Sequence, residues 1–185
     1  MKLTLYADSS KDSPFTGGLE GAEWIETNGL GGWSSSSIIG CNTRRYHGLL
    51  VAAIKPPAER TALVSKMEET IVLDGMRYEL GVNQYPNHTI HPNGHQYLTR
   101  FNKEFFPEWI YEINGIVIHK TIGMIHGENT TILLYEVIKA GKPFELELLP
   151  LLSVRGYHSM MHANDAVNLK ADFANDTFED RKSVV

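Results

Sequence analysis

Two neighbouring stretches concentrate the residue types that can do chemistry: Glu23-Trp24-Ile25-Glu26-Thr27-Asn28-Gly29-Leu30-Gly31-Gly32-Trp33 and Thr43-Arg44-Arg45-Tyr46-His47-Gly48-Leu49-Leu50-Val51. Three roles compete for the loop Asn28-Gly29-Leu30-Gly31-Gly32. A phosphate cradle needs its glycines between a strand and a helix N-terminus. Here Trp33 and the serines Ser34 to Ser37 follow, with no Walker lysine and no helical pattern. A glycine loop also serves where φ must be positive or where strands approach closely. The third role is a carbohydrate-facing loop, with Trp24 or Trp33 stacked on a sugar face and Asn28 bonded to its hydroxyls.

The second stretch is more specific. If it is extended, Arg44 and Tyr46 point to one face and Arg45 and His47 to the other, so one arginine meets a protein layer where its charge must be paired. A guanidinium offers five donors in a rigid fork that matches a carboxylate or vicinal sugar hydroxyls. One outcome is a structural ion pair with Glu26, Glu68 or Glu69. The other makes Asn28, Trp33, Arg44, Arg45, Tyr46 and His47 a substrate-binding surface or an interface with a further domain.

No other cluster specifies a site. His88, His91 and His95 lie among Pro92 and Asn93-Gly94, which predicts an exposed polar loop rather than the rigid element that zinc ligands favour; His158 and His162 stand four apart without a cysteine or carboxylate partner. No metal site is assigned, and no cofactor is expected. Glycoside hydrolysis usually needs two carboxylates about 5 Å apart for retention or about 6.5–9.5 Å apart for inversion. Glu68, Glu69, Glu104 and Glu108 are available, but no pattern pairs them. No residue is assigned a catalytic role.

The elements that must position these residues are strands. Asp74-Gly75, between Glu69–Leu73 and Met76–Leu80, and Asn114-Gly115, between Trp109–Ile113 and Ile116–Lys120, accept the positive φ angles of type I′ hairpin turns. The first pairs Leu73 with Met76 and Ile71 with Tyr78; the second pairs Ile113 with Ile116 and Tyr111 with Ile118. A third pair is expected from Thr131–Lys139 and Phe144–Leu149 across Ala140-Gly141-Lys142-Pro143, with Phe144, Leu146 and Leu148 alternating against Glu145 and Glu147. No long segment carries a capped 3.6-residue period, which predicts an all-β antiparallel sandwich with at most short helical turns near 158–166. Residues 1–22, mixed in Ser, Pro and Gly from residue 9, read as an irregular lead-in, and 23–185 as the sandwich. The tail 171–185 stops as a β-like alternation resumes, which predicts an excised domain.

Composition fits one domain. The 185 residues are 42% hydrophobic and 21% charged with a formal net charge of -5, values that suit a globular fold and disfavour nucleic acid as a partner. The single cysteine, Cys41, leaves no disulfide framework and reads as a small buried hydrophobe in a reducing compartment. Neither a signal-peptide core nor a membrane-spanning apolar run is present, so a cytoplasmic protein with no membrane partner is expected.

The order W-I-x-T-N-G-L-G-G-W-S-S from Trp24, then Thr43-Arg44-Arg45-Tyr46-His47-Gly48-Leu49-Leu50-Val51-Ala52, then Pro56-Pro57-Ala58-Glu59-Arg60 resembles the N-terminal domain of archaeal and bacterial-type glycogen debranching enzyme, the amylo-α-1,6-glucosidase. The likeness runs from Trp24 to Arg155. It implies a β-supersandwich, a cytoplasmic setting, an α-glucan such as glycogen as the whole enzyme's substrate, and a C-terminal catalytic barrel of helices in the same polypeptide. It also implies amylo-α-1,6-glucosidase activity, with 4-α-glucanotransferase activity as an option, supplied by carboxylates outside this chain. The family pattern leads one to expect an acidic residue after Arg155, where this chain has Gly156-Tyr157-His158. The leading expectation is an accessory domain that packs on the barrel and shapes its cleft; the alternative is a free-standing carbohydrate-binding or interaction sandwich.

Overall fold

A computed structural model describes residues 3–6, 21–56, 58–160 and 171–180. The strands are β1 (Leu3–Tyr6), β2 (Glu23–Thr27), β3 (Trp33–Ser37), β4 (Gly48–Lys55), β5 (Glu59–Leu73), β6 (Met76–Glu79), β7 (Val82–Gln84), β8 (Ile90–Asn93), β9 (Leu98–Lys103), β10 (Pro107–Ile113), β11 (Ile116–Met124), β12 (Thr131–Lys139), β13 (Glu145–Gly156), β14 (Ala171–Ala174) and β15 (Thr177–Asp180). Short 3-10 turns at Pro86–His88 and Gly94–Tyr97 are the helical elements among the described residues. None is long and apolar enough to cross a membrane. One sheet has the order β1-β9-β10-β11-β12 and the other β13-β5-β4-β3-β2, with β6 beside β5. Their inner faces share one core, so the fold is the expected antiparallel all-β sandwich.

Period-two burial builds that core. In β10, Pro107, Trp109, Tyr111 and Ile113 are buried while their neighbours are not, and β11 turns Ile116, Ile118 and Ile122 inward. Trp24, Ile71 and Leu73 meet them from the other sheet. Trp109 stands edge-on to Trp24 at 5.3 Å, tilts against Phe101 at 5.2 Å and donates its Nε1–H to the Ile38 carbonyl at 2.7 Å. Burying each such side chain stabilises by about 1.5–3 kcal/mol, and each aromatic pair adds about 0.5–1.5 kcal/mol. Cys41 is buried, as expected, and burial pushes its thiol pKa up.

Charged residues also reach the inward faces. Lys120 forms an ion pair with Glu69 of the facing sheet, and Glu69 also accepts the Tyr135 hydroxyl at 2.7 Å. Burial first, then the Glu69 carboxylate, holds the Tyr135 phenol well above its usual range, so it donates as a neutral hydroxyl.

Both Gly-containing hairpins have the expected register and turn. Asp74 and Gly75 adopt φ of 51° and 78°, and Asn114 and Gly115 adopt 46° and 83°. The third expected pair does not form. β12 pairs with β11, and β13 pairs with β5 in the other sheet, so Ala140–Pro143 carries the chain across the sandwich. β4 and β6 share one margin of the fifteen-residue β5 and β13 fills the other, placing Leu146 opposite Ile71. Leu3–Tyr6 of the expected lead-in is a strand, pairing Leu5 with Phe101. The histidine segment is likewise structured: β7 and β8 form a small ribbon, with His88 and His91 exposed and His95 half-buried. The turns expected near 158–166 lie mostly outside the described residues.

Candidate functional site

Asn28 organises the glycine loop between β2 and β3. Its Oδ1 accepts the Leu30 and Gly32 amides, each at 3.0 Å, while Nδ2 donates to the Glu128 carbonyl at 2.9 Å and to Asn129 Oδ1 at 3.1 Å. The side chain is completely buried. Its four bonds saturate its capacity, so the residue expected at a sugar-facing surface is committed to the loop's own shape. Gly29 and Gly31 take φ of 77° and 91°, the left-handed region that favours glycine. A strand, β3, follows the loop, so the phosphate-cradle geometry is not met.

Thr43–His47 is not extended. Arg44 to His47 forms a turn closed by the His47 amide donating to the Arg44 carbonyl at 3.0 Å, so the predicted alternation of faces is replaced by a knuckle over β3. His47 is buried. Its Nδ1 accepts the Thr43 and Arg44 amides at 3.2 and 3.4 Å, and Nε2 lies 3.4 Å from Glu23. The arginine partner is Glu23, which pairs with Arg44, rather than Glu26, Glu68 or Glu69; those carboxylates pair with Lys103, Lys66 and Lys120.

Trp33, Arg44, Arg45 and Tyr46 do reach one surface. The Trp33 indole Nε1–H donates to the Tyr46 carbonyl at 3.0 Å, fixing the ring's edge. Arg45 donates to the His158 carbonyl at 3.1 Å, and the Tyr46 hydroxyl lies 3.1 Å from His158 Nδ1. Tyr157 stands between them, 5.7 Å from the Trp33 ring and 5.8 Å from the Tyr46 ring.

Three contributors were not identified from the sequence: Tyr157, His158 and Arg60. Tyr157 and His158 occupy the place where an acidic residue was expected, and an aromatic pair at the end of a strand is the signal that could have found them. Arg60 ends the Pro-Pro-x-x-Arg segment; its Nε donates to the Gly31 carbonyl at 2.6 Å, and its guanidinium lies 5.7 and 5.6 Å from the Trp33 and Tyr157 rings. Arg155 staples the cluster by donating to the carbonyls of Arg45 at 2.7 Å and Ser159 at 2.9 Å. Burial, and then the Arg45 charge, lower its pKa. Arg45, Arg60 and Arg155 donate to backbone carbonyls, and among the described residues no carboxylate stands in ion-pair reach of them.

On the outer face of β2 and β3 lies an open groove of about 450 Å³, with Ile25 and Ser35 in its floor and Trp33, Tyr46 and Tyr157 around it. The Arg44–Glu23 pair forms its polar rim. Among the described residues no three His, Cys, Asp or Glu groups converge as metal ligands. Glu68 and Glu69 are successive residues of β5 whose side chains leave on opposite faces, each neutralised by a lysine, which is not an acid–base pair.

No curated protein and no solved structure matches the chain significantly. The glycine loop, the arginine-tyrosine-histidine knuckle and the arginine at the start of β5, which carry the likeness seen in the sequence, thus assemble at one place in an all-β sandwich. The family model described as glycogen debranching enzyme N terminal matches residues 22–184, and the chain belongs to that family.

Proposed function

We propose that the chain is the accessory, non-catalytic domain of a cytoplasmic amylo-α-1,6-glucosidase acting on an α-glucan such as glycogen, and that it packs on the catalytic part of the same polypeptide and shapes its cleft. The observation that supports packing is the margin formed by β12 and β13. Among the described residues each ends its sheet, with a row of backbone donors and acceptors that no further strand pairs. Ile132, Leu134 and Ile138 are exposed on β12, and Leu149 on β13. Val137 and Leu148 are more telling. They stand opposite Ile118 and Glu69, on the core side of their sheets, yet are 56% and 45% exposed. Apolar side chains on the inner face of a sandwich call for cover, and the family supplies the occupant: the polypeptide that follows the N-terminal domain of a debranching enzyme.

Hydrogen exchange tests this. The β12 and β13 amides are expected to exchange at least ten-fold more slowly in the enzyme carrying its catalytic part than in the 185-residue chain. Equal exchange would refute packing at this margin. In the same comparison the shorter chain is expected to release no glucose from an α-1,6-branched glucan; release that disappears on substituting Glu68, Glu69, Glu104 or Glu108 would overturn the non-catalytic assignment.

A further inference from the structure

We infer that the groove on the outer face of β2 and β3 is an α-1,4-glucan subsite carried by this domain itself, separate from the catalytic part. The inference takes its substrate class from the proposed function but rests on different side chains: from the β13 region the groove uses Tyr157, just past the strand's end, and none of the exposed apolar residues of β12 and β13. At about 450 Å³ the groove falls in the size range of small-molecule sites, about 300–1,000 Å³. Its floor includes Ile25, a 53% exposed apolar side chain.

The ring geometry selects the glucan. Tyr157 and Trp33 meet at 81°, and Tyr157 and Tyr46 at 44°, so the rings are not coplanar and cannot form one flat platform, and the His158 ring, 3.8 Å away, already covers one face of Tyr157. A β-1,4-glucan is a flat ribbon whose sugar faces need coplanar rings. An α-1,4-glucan curves, and successive residues present their C–H faces at an angle to one another. Non-coplanar walls match the curved chain.

The walls are also held before any ligand arrives. The polar edges of Trp33 and Tyr46 are occupied by the Tyr46 carbonyl and His158, and the Tyr157 segment is stapled by Arg155 through the carbonyls of Tyr157 at 3.4 Å and Ser159 at 2.9 Å. Rings fixed at their edges lose little freedom on binding. At the rim, Arg44 retains donors beyond the one given to Glu23 and can reach vicinal hydroxyls.

Calorimetric titration of the full 185-residue chain with maltohexaose and with cellohexaose decides it. Saturable binding of maltohexaose is expected, at least ten-fold tighter than that of cellohexaose. Tyr46→Ala and Tyr157→Ala are each expected to weaken it ten-fold or more. Ile25→Asp, at an exposed position on the floor, should do the same without touching the core, and serves if Tyr157→Ala fails to fold. Equal affinity for the two hexaoses, or no binding at millimolar sugar, overturns the proposal. Neither result bears on the β12–β13 exchange experiment, so a failed groove and a failed packing surface are told apart.

Discussion

His47 works only as a neutral side chain. Its Nδ1 accepts two backbone amides, which an unprotonated nitrogen alone can do. Burial is the largest cause of its lowered pKa; Glu23 opposes the shift and Arg44 adds to it. Burial lowers His95 in the same direction. As pH falls through the ordinary histidine value of about 6.5, the unfolded chain takes up protons that the folded one still refuses. The stability these groups contribute is therefore present above that value and is lost as pH falls from it toward the folded pKa. A lower melting temperature at pH 5.5 than at pH 7.5 is expected, with a shallower dependence in His47→Gln. An unchanged slope in that variant would show that the knuckle tolerates the imidazolium. His47 also shows what the sequence conceals at this scale. Its type announces a titratable group, but its amide partners exist only because Arg44 to His47 turns instead of extending. Asn28 is similar: its hydrogen-bonding capacity is legible, whereas the partners Glu128 and Asn129, 100 and 101 residues away, are not.

At the scale of elements, local chemistry was legible where the turn itself carries the information. Asn114-Gly115 predicts strand, turn and register together because a type I′ turn needs positive φ at both positions. An added Cβ at Gly115 would meet nothing within 4 Å, so the φ of 83° is the sole cost of a substitution. Gly115→Ala is expected to lower the free energy of unfolding by about 1–2 kcal/mol. Gly32→Ala should cost more, because its Cβ would lie 2.9 Å from the Val51 carbonyl oxygen and 2.7 Å from Asn28 Nδ2. Urea unfolding of both variants checks the order, and a Gly32→Ala loss no greater than that of Gly115→Ala would mean that the loop yields. Ala140–Pro143 lacks such a signal. Two alternating strands and a short polar linker read as a hairpin whether the strands pair with each other or leave for different sheets. What separates them is the margin of β5 that is left for β13, a tertiary fact.

Among the polar ties that join the sheets through or beside an otherwise apolar core are Lys103 to Glu26, Asn28 to Asn129, and Lys120 to Glu69 with Tyr135. The third is the more enclosed of the two charged ties, since Glu69 is only 5% exposed and the Lys120 ammonium lies 5.6 Å from the Trp109 ring and 5.9 Å from that of Tyr135. Taking two charges from water costs several kcal/mol each, and their attraction in the interior roughly offsets that, so the pair as a whole adds little stability. Breaking it is another matter. Lys120→Met strands a buried carboxylate and is expected to destabilise the fold by about 3–5 kcal/mol. Glu69→Gln combined with Lys120→Met removes both charges and keeps an acceptor for the Tyr135 hydroxyl, so it should recover most of that loss. Guanidinium unfolding of the single and double variants, with near-ultraviolet circular dichroism to report packing around Trp109, measures both. Recovery with a native spectrum would make the tie a charge-balanced element that can be exchanged for neutral groups. A double variant as unstable as Lys120→Met would show that the ion pair itself, and not mere neutrality, holds the two sheets in register.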